Sequence, residues 1–186
     1  MKKLTCFDLD GTLFDTNLVN YYAYKKALEE CSFILDKEYY ISKCNGRHYT
    51  EFLPVITNNA PKEIIEKIHA RKKELYPEFL DKAIVNEGLF QIILGLRSNG
   101  CKTVVVTTAS RKNTIDILSY YKKLECFDDL ITAEDYINKK PAPDSFIEAM
   151  KRFNVNATET IIFEDSDVGI EAAQNSGASV FVVNKF

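Results

Sequence analysis

The chain has 186 residues, 46% hydrophobic and 27% charged, which bounds one globular unit or a core domain with a modest insertion. Its 24 Lys and Arg against 27 Asp and Glu leave a net charge of −3, so a nucleic-acid partner is not expected. No apolar run approaches the roughly 20 residues that span a bilayer, which leaves no membrane segment to expect.

The first predicted element is an apolar strand, Leu4 to Phe7, running straight into Asp8-Leu-Asp-Gly-Thr-Leu13. Asp8 and Asp10 interrupt the apolar start at once, so no secretion signal is expected there. The five cysteines are scattered singly and form no Cys-x-x-Cys pair, which reads as reduced thiols and a cytoplasmic location. Thr16 to Lys82 then has helical character and no convincing strand. Leu18, Tyr21, Tyr22 and Leu28 give one apolar stripe, and Ile64, Ile65, Ile68 and Leu75 give another. Seven of the ten tyrosines fall in this stretch, so it is expected to have its own aromatic core. Gly46, Pro54, Pro61 and Pro77 are expected to divide it into short helices.

From Val85 onward helices and strands alternate. Leu89 to Ser98 reads as a helix stopped by Asn99-Gly100, and Lys102 to Thr107 as a buried β-branched strand. Ser110 caps a helix predicted over Arg111 to Leu124. Further on come a helix from about Asp144, a strand Thr160 to Glu164, a helix Asp167 to Ser176 and a strand Ser179 to Val183. Such alternation predicts an α/β fold: a Rossmann-like parallel sheet with helices on both faces. The helical stretch becomes a small all-helical insertion after the first strand, residues 16–82, within a core of 1–15 and 83–186.

In an open parallel sheet, ligands gather at the carboxyl ends of the strands. Asp8 and Asp10, Thr107 and Thr108, and Glu164-Asp165 each come just after an apolar run, and Lys140-Pro141 precedes a helix. Taken singly, these are ordinary turn, capping or surface residues. Together they crowd several carboxylates, which repel unless a cation holds them, and an oxygen-only cluster suits Mg²⁺.

The residues match a family. Phe7-Asp-Leu-Asp-Gly-Thr-Leu-Phe-Asp-Thr16 resembles the first motif of the haloacid dehalogenase superfamily, and the rest come in order: Thr108, Lys140-Pro-Ala-Pro-Asp144, and Phe163-Glu-Asp-Ser-Asp-Val-Gly-Ile-Glu-Ala-Ala173. The insertion resembles the helical cap of the subgroup that holds β-phosphoglucomutase and phosphoglycolate phosphatase. The resemblance implies Asp8 as nucleophile, Asp10 as general acid and base, and Thr108 with Ala109 as phosphoryl binders. It further implies that Lys140 lets the anionic nucleophile meet an anionic phosphate, and that Asp8, Asp10, Asp165 and Glu164 hold Mg²⁺.

The cap departs from the mutase pattern. Asn20 stands where mutases carry a histidine, and Tyr49 where they carry an arginine; Arg47 reaches the same space only from another register. Lys72 aligns with a substrate-contacting cap lysine, although a lysine in Ala70-Arg-Lys-Lys73 most often lies on a solvated helix face. His48 and His69 both lie in the cap, and of the two His48 is the candidate, near its substrate-facing loop. Glu87-Gly88 replaces a Pro-Gly pair, and the sequence stops soon after a fifth strand, so a trimmed sheet edge is expected. The expected activity is Mg²⁺-dependent hydrolysis of a small phosphorylated metabolite through an aspartyl phosphate. A phosphosugar mutase and a non-catalytic phosphate-binding module are the alternatives, and a dehalogenase is disfavoured by Asp10 and Asp165. Nothing in the pattern indicates an oligomeric state.

Overall fold

The computed structural model describes residues 3–184. The chain divides into two compact units: one runs up to Asp15 and resumes at Ile84, and the other is Thr16–Ala83. The elements are, in chain order, β1 (Leu4–Phe7), β2 (Phe14–Asp15), α1 (Asn17–Glu29), α2 (Lys37–Tyr39), α3 (Tyr49–Ile56), α4 (Lys62–Leu75), β3 (Ile84–Val85) and α5 (Glu87–Ser98). Next come β4 (Lys102–Val106), α6 (Arg111–Tyr120), β5 (Asp129–Ile131), α7 (Asp144–Arg152), β6 (Thr160–Glu164), α8 (Asp167–Asn175) and β7 (Ser179–Val182).

Five of these strands form one sheet in the order β5-β4-β1-β6-β7, and every pairing in it is parallel. Side chains alternate across a strand. On one face Leu4, Cys6, Val104, Val106 and Ile162 bury against Phe146, Ala149 and Met150 of α7 and Ala172 and Ala173 of α8. On the opposite face Phe7 stacks on Phe163 and meets Phe127 edge-on, and Phe127 in turn meets Phe90 of α5. The expected layering is therefore present, with helices on both faces.

The chain moves from β1 outward to β4 and β5, then returns past β1 to β6 and β7. The direction of winding reverses between β1 and β6, which opens a crevice at their carboxyl ends. A separate two-stranded ribbon pairs β2 with β3 antiparallel.

The helical unit has its own core of Tyr21, Tyr24, Leu28, Tyr40, Phe52, Ile65, Ile68 and Leu75. Both apolar stripes supply it, Tyr22 and Ile64 packing against it half-buried, whereas the half-buried Leu18 is not part of it. Pro54 does not break a helix as expected; it sits inside α3, while Pro61 caps α4 and Pro77 opens a 3-10 turn. Packing of Phe52 and Leu53 outweighs the one hydrogen bond that Pro54 removes. The helix after Ser110 ends at Tyr120, short of Leu124, because Lys122 turns left-handed at φ 56°. No helix among the described residues is long and apolar enough to cross a membrane.

Candidate active site

The crevice between β1 and β6 is where the acidic residues emerge. Phe7 pairs with Phe163, and the ladder extends one step further, the Asp8 N–H donating to the Phe163 carbonyl at 3.0 Å. Asp8 and Glu164 thus leave the sheet as neighbours, and by the period-2 rule both continue the face of Cys6 and Ile162. Lys140 lies on that side as well, on the loop between β5 and α7, its ammonium 5.1 Å from the centre of the Phe146 ring.

Lys140 joins the two carboxylates. Its Nζ donates to Asp8 Oδ1 at 2.7 Å, to Glu164 Oε1 at 2.5 Å and to the Val106 carbonyl at 3.3 Å. The lysine side chain is only 4% exposed. Burial disfavours its charge, but Asp8 and Glu164 together outweigh burial and raise its pKa, so the ammonium form persists. Burial pushes the Asp8 carboxyl well up; Lys140 opposes that rise, and the charges of Glu164 and Asp10 add to it. Burial is thus the main reason this carboxyl resists ionisation, and Lys140 offsets it only in part.

Glu164 is fully buried, and both its oxygens are engaged. Oε1 meets Lys140, while Oε2 accepts from the N–H groups of Asp165 and Ser166 at 2.8 and 2.9 Å and from Ser166 Oγ at 3.1 Å. Gly169 is required here, because a Cβ at that position would overlap the Glu164 carboxylate. Asp165 is half-buried, and burial followed by the Glu164 charge raises its pKa against a hydrogen bond from Thr12. That bond, Thr12 Oγ1 to Asp165 Oδ1, measures 2.8 Å. Asp8, Glu164 and Asp165 each offer an oxygen within 4.8 Å of the others. An all-oxygen, carboxylate-rich set of this kind fits a hard divalent cation such as Mg²⁺.

Asp10 is exposed, in the turn between β1 and β2, and is bridged to Phe14. Thr108 is exposed just past the end of β4. The Ala109 N–H donates to Thr107 Oγ1 at 3.0 Å, and its carbonyl accepts from the Ala133 N–H at 3.0 Å. Ser110 caps α6 by accepting from the Asn113 N–H. The Lys140 loop is fastened to the same strand end, since the Tyr136 hydroxyl donates to the Thr107 carbonyl at 3.0 Å. One residue earlier, Asp135 accepts from Arg111 at 2.7 Å and from Arg152 at 2.8 Å, tying that loop to α6 and α7.

Among the sequence candidates in the helical unit, Arg47 and His48 are exposed, and His48 Nδ1 bonds Thr50 Oγ1 at 2.8 Å. Tyr49 stacks on His69 at 3.7 Å and donates to Glu66 at 3.0 Å. Lys72 is not on a solvated helix face. It is buried, donates to Asn20 Oδ1 at 2.5 Å, and has the Tyr24 and Tyr76 rings at 5.1 and 5.0 Å. The flanking rings hold its ammonium by cation–π attraction, which composition around position 72 did not signal.

Residues 5–183 match the haloacid dehalogenase-like hydrolase family. The chain belongs to that family. Among its similar proteins is a phosphorylated carbohydrates phosphatase of Thermotoga maritima, 24% identical over 92% of this chain and 80% of the relative. A fructose-1-phosphate phosphatase of Escherichia coli is 27% identical over 92% of this chain and 90% of the relative. Among solved structures, β-phosphoglucomutase from Clostridium difficile superposes with a TM-score of 0.80 at 25% identity, over 100% of this chain and 86% of that one. The chain thus shares its fold with that mutase over its whole length.

Three residues at the site were not singled out by the sequence reading. Thr12, Ser166 and Tyr136 hold Asp165, Glu164 and the Thr107 carbonyl respectively. Thr12 and Ser166 lie inside motifs already quoted, next to the candidates they support. Tyr136 had no signal, since it stands in a loop between elements.

Proposed function

We propose that this hydrolase is a Mg²⁺-dependent phosphatase acting on a small phosphate monoester, of the phosphorylated-carbohydrate kind, through an aspartyl phosphate. The observation that carries the reading is the buried Lys140 ammonium shared between Asp8 and Glu164 beside a third carboxylate. A nucleophilic carboxylate must approach an anionic phosphate, and fixed positive charge at that point lowers the barrier.

In this reading an Asp8 oxygen attacks phosphorus while the ester P–O bond breaks, and Asp10 gives its proton to the departing oxygen. Asp10 then removes a proton from water as that water attacks the phosphorus of the aspartyl phosphate, which returns Asp8 and releases inorganic phosphate. Thr108 and the Ala109 N–H bind the phosphoryl oxygens, with the Ala109 N–H released from Thr107 Oγ1 to do so. Asp8, Asp165 and the Asp10 carbonyl are the proposed Mg²⁺ ligands, and Glu164 is shared between that role and holding Lys140. Mg²⁺ in this place neutralises charge on the transferring phosphoryl group.

Residues 16–82 serve as the substrate-selecting cap, and Arg47 and Lys72 are its proposed substrate contacts. Asn20 and Tyr49 argue against a mutase, which needs a proton relay and a positive clamp at those positions. A binding module is disfavoured because the nucleophile, the acid–base aspartate and the lysine are all present. The test is phosphate release from an aryl phosphate and from a panel of sugar phosphates, including β-glucose 1-phosphate with catalytic glucose 1,6-bisphosphate. Mg²⁺-dependent release that EDTA silences is expected. Full release in chelator would contradict the metal role, and isomerisation without release would point to the mutase instead.

A further inference from the structure

Asp165 is positioned from the turn that precedes β2. Gly11 sits there at φ +99°, so close to the Asp165 carboxylate that a Cβ would overlap it. Thr12, fully buried, donates to the same carboxylate. Turn and carboxylate are therefore in contact along both the backbone and a side chain, and displacement of one displaces the other.

The turn is in turn held by Asn86, which stands where the chain re-enters the α/β unit. Its N–H donates to the Leu13 carbonyl at 3.0 Å, and its Nδ2 to the Thr12 carbonyl at 3.1 Å. Its Oδ1 accepts from the Leu89 N–H at 3.1 Å and so caps α5. We propose that Asn86 is a positioning residue for the divalent-cation site, acting through Thr12 on Asp165; this rests on the Mg²⁺ reading of the carboxylate cluster. The cap uses Oδ1 and the relay uses Nδ2, so one side chain does two separable jobs. Partners that orient a metal ligand typically change metal affinity about 10–100-fold when lost.

Asn86→Ser separates the two. Serine caps a helix about as well as asparagine but has no amide to give the Thr12 carbonyl. Calorimetric titration of the full chain with Mg²⁺ alone, beside thermal melting, reads metal affinity and stability without turnover. Asn86→Ser should melt only slightly below the wild type, by the one hydrogen bond lost, and bind Mg²⁺ about 10-fold more weakly. Asn86→Ala should bind as weakly and melt lower than Asn86→Ser, because it loses the cap as well. Thr12→Val should weaken binding too, and adding Asn86→Ser to it should cost nothing more, because both act on one path. Wild-type affinity in Asn86→Ser, or additive losses in the double variant, would overturn the inference alone. A wild type that takes up no Mg²⁺ would overturn the metal reading and this inference with it.

Discussion

Asp8→Asn should lower turnover of an aryl phosphate by about 10⁴-fold or more, equivalent to at least ~5 kcal/mol of transition-state stabilisation. An amide neither attacks phosphorus nor ligates Mg²⁺ well, so one substitution removes the nucleophile and weakens the cation site. The fold should survive it. Lys140 keeps its bond to Glu164, and an amide oxygen at position 8 still accepts from the ammonium. A neutral amide also removes the cost of burying a carboxylate at position 8, which is what chiefly raises the Asp8 carboxyl. Circular dichroism and melting within about 1 kcal/mol of the wild type would separate lost chemistry from lost structure. Near-wild-type turnover would reject Asp8 as the nucleophile.

Lys140→Met should damage both stability and activity. Methionine matches the stem of lysine but leaves Asp8 and Glu164 buried without their shared cation. Removing one member of a buried, hydrogen-bonded ion cluster costs about 3–5 kcal/mol, a large part of the ~5–15 kcal/mol that holds a domain. The pH dependence has a definite sign. In the wild type the raised Lys140 pKa contributes stability that is complete below the ordinary lysine value, about 10.4, and is lost as pH rises through the folded value. In the variant the Asp8 carboxyl, already raised by burial, loses the cation that opposed the rise and takes up a proton more readily folded than unfolded. The variant's deficit should therefore be greatest near neutrality and shrink as pH falls toward the carboxyl range. Denaturant melts from pH 5 to 8 read this directly, and an equal deficit at every pH would contradict the ion-cluster account. Turnover at pH 7 should fall about 10³-fold, since charge at the reacting centre is typically worth this much.

The parallel sheet was legible because its central strands are short and apolar on both faces. Leu4–Phe7 and Thr160–Glu164 have the expected bounds, and each carries its acidic residues at the carboxyl end. The site was legible for the same reason, since the end of a strand fixes the position of the next residue along. Asp8 and Glu164 become neighbours through a backbone ladder that the strand assignment already implies. Less was legible where packing between distant segments decides. β5 is three residues long and gave no periodicity, and the β2–β3 ribbon pairs residues some seventy positions apart. Lys72 looked solvated because its neighbours in sequence are charged, whereas the rings that bury it come from Tyr24 and Tyr76. Tyr136 and Asn86 were silent for a related reason: each bonds a backbone carbonyl, and sequence does not show which carbonyls lack a partner.

Phosphoryl transfer through Asp8 leaves a covalent trace that can be trapped. Beryllium trifluoride with Mg²⁺ mimics an acyl phosphate on a carboxylate, so a crystal structure of the wild type grown with both tests it most directly. Beryllium bonded to an Asp8 oxygen, its fluorines met by Thr108, the Ala109 N–H and Lys140, with Mg²⁺ against Asp8 and Asp165, is the expected result. Beryllium on any other residue would contradict it.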